Sequence, residues 1–181
     1  MSLFEVFLLA LALSMDAFAV SICAGLKGRA IGAGSAIIVG LYFGTAQALM
    51  PVIGFFLAAS FADYINAYGN IIAFALLAFI GGKMIWESFS GGDECKIVPT
   101  SPAKMLPFAV ATSIDAMAVG VSFAFFTVNV FLAALIIGTT TFTLSIAGVK
   151  IGSVFGSKFK SKAEFAGGAV LILMGLNILI S

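Results

Sequence analysis

ALSMDAFAV, residues 12–20, sets a carboxylate, Asp16, in the middle of a run of apolar and small side chains. An ionisable group at the centre of a bilayer costs roughly 3 kcal/mol or more, so such a residue marks a function and needs a partner. That cost applies only if the surrounding run spans a membrane, and composition supports this. Of 181 residues, 62% are hydrophobic and only 9% are charged, and the mean hydropathy is +1.20. A soluble domain carries roughly 25% charged residues because it has a wet surface to cover. This chain cannot make such a surface, so it reads as an integral membrane protein.

Outward from Asp16, six apolar segments follow one another at about 3–26, 32–59, 69–89, 104–127, 130–156 and 164–180. Each approaches the roughly 20 residues that a helix needs to cross about 30 Å of hydrocarbon, the last being the shortest. The first is read as a span and not as a signal peptide, because no Lys or Arg precedes it and it outruns the usual apolar signal region. Long unbroken apolar runs exclude a β-barrel, whose strands alternate apolar and polar residues. The expected fold is all-α with six transmembrane helices.

Basic residues fall on every second connection. Lys27 and Arg29 follow span one, Lys96 and Lys104 lie between spans three and four, and Lys158, Lys160 and Lys162 lie between spans five and six. Lys83 and Lys150 are read as lying near those same connections, while the stretches around 60–68 and 127–130 and both termini carry none. The positive-inside rule assigns the basic connections to the cytoplasm, so both termini are expected outside it.

The chain also repeats itself. ALSMDAFAV is echoed by ATSIDAMAV at 111–119, an offset of 99 residues that matches Asp16 with Asp115. After a one-residue gap Gly40 and Gly54 match Gly138 and Gly152, and Gly82 and Gly175 correspond more weakly. The expected organisation is residues 1–89 as one three-helix repeat, 90–103 as a cytoplasmic linker and 104–181 as the second repeat. An odd number of spans per unit inverts the second repeat. Inverted repeats of this kind build transporters with the substrate site near mid-depth.

Asp16 and Asp115 each fall about halfway along their spans, so the symmetry can bring them together. Two ionised carboxylates repel in a low dielectric, and a metal ion or a shared proton is therefore expected between them. Ala12, Asp16, Ala19 and Cys23 share one helical face, and Ala111, Asp115, Ala118 and Ser122 repeat the spacing. Such small-residue faces allow close helix approach. Gln47 is the strongest further ligand candidate, since its amide needs several partners and Pro51 removes a backbone donor nearby. Thr45, Thr141 and Ser122 rank lower, because hydroxyls in membrane helices often bond back to their own helix. Oxygen ligands of this kind suit hard cations such as Mn²⁺ or Mg²⁺, and the chain has no histidine. Glu5, Asp63, Glu87 and Glu164 are read as interfacial, and Asp93, Glu94 and Cys95 as parts of a solvated loop.

These motifs resemble a known family, the MntP-type manganese efflux pumps of the LysE-like exporter superfamily. The resemblance runs through SMDAFAVSI, FGTAQALMPVIG, GGKMIWE, ATSIDAMAVGVSFA and KAEFAGG, and so covers essentially the whole chain. It implies that Asp16 and Asp115 are the essential metal-handling residues and that Mn²⁺ leaves the cytoplasm. At position 47 this chain has Gln where some members carry glutamate, which bears on the charge and metal preference of the site.

A divalent cation leaving a cell against about 100 mV climbs roughly 4.6 kcal/mol, so efflux needs coupling. No phosphate-cradling Gly-rich motif is present, and exchange for protons on the aspartates is the simplest coupling left. The expectation is therefore a transporter and not an enzyme, without a resident cofactor, multi-pass in a bacterial inner membrane. Its partners are a divalent metal ion, protons and the bilayer, with no nucleic acid and with a homodimer left open. The competing readings are an exporter of another divalent cation or small solute, and, more distantly, a membrane electron-transfer protein. The latter needs paired cysteines at matching repeat positions, where this chain has Cys23 opposite Ser122.

Overall fold

The computed structural model describes residues 2–26, 33–60, 69–90, 102–126, 128–155 and 159–180. They form helices α1 (Leu3–Leu26), α2 (Ala33–Ala59), α3 (Gly69–Ser90), α4 (Pro102–Phe123), α5 (Val130–Phe155) and α6 (Lys160–Ile180). All six are long and apolar enough to cross a membrane. Hydrocarbon offers the backbone no hydrogen-bond partner, so each crossing must satisfy its own peptide groups as a helix. Lys27, Arg29, Asp63, Asp93, Glu94, Cys95, Lys96 and Lys158 lie outside the described residues. So does the 90–103 connection, apart from its helical ends.

Two boundaries differ from the apolar segmentation. The fourth helix stops at Phe123, where Ala124, Phe125 and Phe126 donate to the carbonyls three residues back and tighten the chain out of the helix. The sixth begins at Lys160, a turn earlier than its apolar run. Lysines are good helix formers, and Lys160 pairs with Glu164 one turn on (4.0 Å). At 21 residues α6 is therefore long enough to span without thinning the bilayer. Helix starts carry ordinary caps. Ser2 and Glu5 form a reciprocal capping box on α1, and Asn129 Oδ1 accepts from the Phe131 and Leu132 amides at the head of α5.

Neighbour contacts fix the helix directions. Ser14 meets Thr141 and Ile22 meets Gly152, so α1 and α5 run parallel. Gly40 lies by Ile146 and Gly138 by Ala48, so α2 and α5 are antiparallel. Ala36, Val39 and Phe43 cluster with Met105 and Ala109, which places the start of α2 beside the start of α4. Helix α6 runs against both α1, through Gly167 on Ala12 and Met15, and α3, through Gly175 on Leu77 and Gly168 on Met84. Successive helices thus alternate direction, and α1 and α4 run oppositely. Helix α1 packs along α6, whereas the contact of α3 with α4 is much slighter.

Many large side chains point outward, among them Trp86 at 74% and Phe89 at 78% exposure, while Phe43 and Phe123 are buried and glycines sit at the crossings. A Cβ at Gly54 would strike the Met117 carbonyl, and one at Gly152 the Ile22 carbonyl. Gly82 and Gly175 do not share surroundings as the repeat alignment suggests: Gly82 has nothing within 4 Å, while Gly175 lies against Leu77 and Phe74. The glycines that meet between α3 and α6 are Gly81 and Gly168.

These adjacent glycines provide a matched test. In Gly81→Ala the new methyl would lie 2.6 Å from the Gly168 carbonyl oxygen and 2.8 Å from Ile172 Cγ1. It should destabilise the protein by about 1–3 kcal/mol. Gly82→Ala meets open space and gains up to about 1 kcal/mol of helix propensity. Thermal melting of the two variants in detergent should separate them, Gly81→Ala below wild type and Gly82→Ala at or above it.

Candidate functional site

Asp16 is half-buried on α1, and Asp115 on α4 has a side chain 14% exposed. Between the α3 and α4 helices, Lys83 donates from Nζ to Asp115 Oδ2 at 3.4 Å. Asp16 lies within electrostatic range of Asp115, Lys83, Glu87 and Glu164. Glu164 in turn feels Lys160 and Glu87. Four helices therefore contribute to one charged cluster, which extends from the two aspartates toward the end of α3 and the start of α6.

Three sequence readings are refined here. Lys83 was read as lying near a connection, but it is seven residues from the end of α3, about 10 Å along the axis. Its long stem reaches Asp115 instead of water beyond the bilayer. Glu164 was read as interfacial, yet the residue is only 5% exposed, and its Oε2 has no hydrogen-bond partner. The third change concerns charge. A metal ion or shared proton was expected to relieve the aspartates, and the chain supplies a cation of its own in Lys83.

Gln47 is fully buried on α2, with Nε2 donating to the Leu13 carbonyl of α1 at 3.4 Å. Its Oε1 has no partner. Pro51 lies inside α2 and has no N–H to return to the residue four earlier, which is Gln47. Gln47 therefore has both an unpaired amide oxygen and a main-chain carbonyl without its helical donor. Ser145, which matches Gln47 in the repeat register, also has a buried hydroxyl without a partner.

The lower-ranked hydroxyls separate. Thr141 is buried and shares a 2.8 Å hydrogen bond with Ser14, which also donates to the Ala10 carbonyl. Thr45 faces outward and donates back to Leu41 and Tyr42, so it does not join the others. Ser122 is buried but donates back to Ala118 at 3.4 Å. The two small-residue stripes also differ. Ala12, Ala19 and Cys23 are buried, whereas Ala111 is exposed and Ala118 half-exposed, and α6 lies along α1 more fully than α3 along α4. Among the described residues, no three His, Cys, Asp or Glu side chains converge as a set able to hold a metal ion.

A helical multi-pass membrane protein with opposed ionisable groups on facing helices has the build of a membrane transporter. The comparisons narrow that class. The family model described as "Putative manganese efflux pump" matches residues 30–179, and the chain belongs to this family of transporters. It is 49% identical over 176 residues to an MntP pump of Aliarcobacter butzleri, covering 97% of this chain and 98% of the relative. It is 51% identical over 178 residues to one of Desulfitobacterium hafniense, covering 97% and 93% respectively. A relative from Mannheimia succiniciproducens is 47% identical over 182 residues. No solved structure matches the chain.

The unpaired amide oxygen makes a stability prediction. Gln47→Leu removes a buried acceptor that has no partner and gives up only one long hydrogen bond, so it should melt at or above the wild-type temperature. Thr141→Val breaks a short buried pair and should cost about 1 kcal/mol. Melting curves of the two variants, recorded in the same detergent, check the ordering.

Proposed function

We propose that this chain exports Mn²⁺ from the cytoplasm, binding it between Asp16 and Asp115 with oxygen from Gln47 and exchanging it for protons. The observation that carries the proposal is that both aspartates belong to one charged cluster inside the bundle. Membership of a family described by manganese efflux supplies the substrate. Carboxylates, an amide oxygen and water form a hard-donor set suited to Mn²⁺. In the proposed cycle the carboxylates release H⁺ as they take metal from the cytoplasm and regain H⁺ as they give it up outside. Entry of protons down their gradient drives a step that is uphill by roughly 4.6 kcal/mol at about 100 mV.

The cycle needs an architecture that alternates between two faces, and inverted repeats provide one. We take residues 1–89 and 104–181 as the repeats and 90–103 as their linker. Helix contacts support the pairing. Gly40 packs on Phe142 and Ile146, while Gly138 packs on Gly44 and Ala48, and an offset of 98 residues exchanges these sets. Likewise Phe18, Ser21 and Ile22 pack on Gly148 and Gly152, as Met117, Gly120 and Val121 pack on Pro51 and Gly54. Opposite directions of α1 and α4 fit the inversion. The basic connections then face the cytoplasm, the same end toward which the charged cluster extends.

Asp16→Asn and Asp115→Asn preserve shape and remove charge. Each should lower Mn²⁺ flux in proteoliposomes on the order of a hundredfold or more, at unchanged abundance, because a neutral amide oxygen replaces a charged ligand. Loss of abundance with normal flux in the surviving protein would instead make the pair structural. Comparing Mn²⁺ with Mg²⁺, Fe²⁺, Zn²⁺ and Cd²⁺ under an imposed proton gradient tests substrate and coupling together. Flux of an organic solute with no metal response would replace this proposal with the alternative exporter.

Orientation has its own test. Tags added at Met1 and Ser181 should be labelled from outside intact cells, and a tag inserted between Gly91 and Thr100 should be labelled only after permeabilisation. The reverse pattern would point the charged cluster outward and oppose efflux by this route.

A further inference from the structure

We propose that Lys83 is a tethered cation that occupies the Asp115 carboxylate whenever neither metal nor proton is bound there, and that it thereby selects divalent over monovalent ions. This deepens the aspartate-pair reading above and rests on it. The geometry is that of a held but releasable group. Nζ lies 3.4 Å from Asp115 Oδ2, longer than the roughly 2.7–2.9 Å of a tight charge-assisted bond. The Lys83 side chain is 41% exposed while that of Asp115 is 14% exposed, so the ammonium has room to withdraw and the carboxylate stays enclosed. Lysine suits this role better than arginine, being a compact charge on a flexible stem and not a planar fork that grips a carboxylate at two points.

Charge counting agrees. With every group ionised, as the loading step of the proposed cycle requires, Asp16, Glu87, Asp115 and Glu164 against Lys83 and Lys160 leave a formal excess of two negative charges. One divalent ion balances that excess. A monovalent ion displacing Lys83 from Asp115 brings no more charge than the group it displaces. It also surrenders translational freedom that a tethered ammonium has already given up. A divalent ion doubles the Coulomb attraction to the same carboxylate and extends it to Asp16. Competition from the tether also weakens the bound state, so it aids release once the ion reaches the other face.

The test uses purified Lys83→Gln, Lys83→Met and Lys83→Arg proteins, with Mn²⁺ binding measured by calorimetry at constant ionic strength. The background salt is either N-methylglucamine, too large to enter the site, or potassium. Wild type and Lys83→Arg should bind Mn²⁺ equally well in both salts. In N-methylglucamine the Gln and Met variants should bind Mn²⁺ about threefold to tenfold more tightly, as expected for removing an ion pair of this exposure. They should lose that gain in potassium and transport more slowly. Equal or weaker Mn²⁺ affinity in both neutral variants overturns the proposal, as does failure of both to insert, which would make Lys83 a structural anchor. Asp115→Asn, measured alongside, separates the two levels: wild-type Mn²⁺ affinity in that variant ends the aspartate-pair reading itself, whatever Lys83 does.

Discussion

Helices in hydrocarbon gain nothing by hiding apolar surface from one another, since lipid is as apolar as leucine, so this bundle depends on close backbone approach. Glycines at the crossings permit it. Gly44 and Gly138 let α2 and α5 cross, Gly81 and Gly168 do the same for α3 and α6, and Gly54 and Gly152 seat α2 on α4 and α5 on α1. The large side chains these positions exclude are turned outward, as Trp86 and Phe89 are. Close approach also has an electrostatic consequence. It brings Asp16, Lys83, Asp115 and Glu164 from four helices into range of one another, and none of these helices alone could hold its charge so far from water without such neighbours.

Helix existence was legible in the sequence because lipid leaves so few structures to choose from. Six apolar runs became six helices with boundaries shifted by at most about a turn. The shifts came from local chemistry that apolar counting ignores, namely the Lys160–Glu164 pair that starts α6 and the tight turns after Phe123. The aspartates were legible because charge is so rare in this chain that a repeated one stands out. Lys83 and Glu164 were not. Each lies close enough to a basic connection to be explained as interfacial, and depth in a membrane is decided by packing, which a run of residue types does not encode. Thr45 illustrates the opposite error. Its neighbour Gln47 turns into the bundle, and two residues along a helix rotate a side chain by about 200°, enough to turn Thr45 outward.

Gln47 joins an irregularity of the backbone to one of its own side chain. A proline in mid-helix ordinarily costs about 3 kcal/mol, partly through the donor that it removes. In α2 the carbonyl left without that donor belongs to Gln47, whose side-chain oxygen is also unpaired, so two acceptors collect at one position on the buried face. Ser145, in the corresponding position of α5, has its own unpaired hydroxyl. An apolar pair at these positions would leave no side-chain polar atom unpaired. Polar groups kept here without partners are consistent with a ligand that arrives and leaves, and they fit a cation better than an anion because the unpaired groups on α2 are acceptors.

The unequal cover of the two aspartate helices completes the physical picture. Helix α6 lies along α1, with Gly167 on Ala12, while α3 touches α4 lightly and Ala111 is exposed. Under the proposed repeat arrangement, exchanging the two contacts would give a second state of similar composition, with the loose contact beside α1. Lys83 sits at the loose contact and ties it by one ion pair at 3.4 Å, part-exposed on the lysine side and enclosed on the carboxylate side. Under the proposed function, a pair this long holds the contact without the grip of a tight charge-assisted bond, and a divalent ion can displace it. The proposed metal would therefore open a contact that is slight and charged at once.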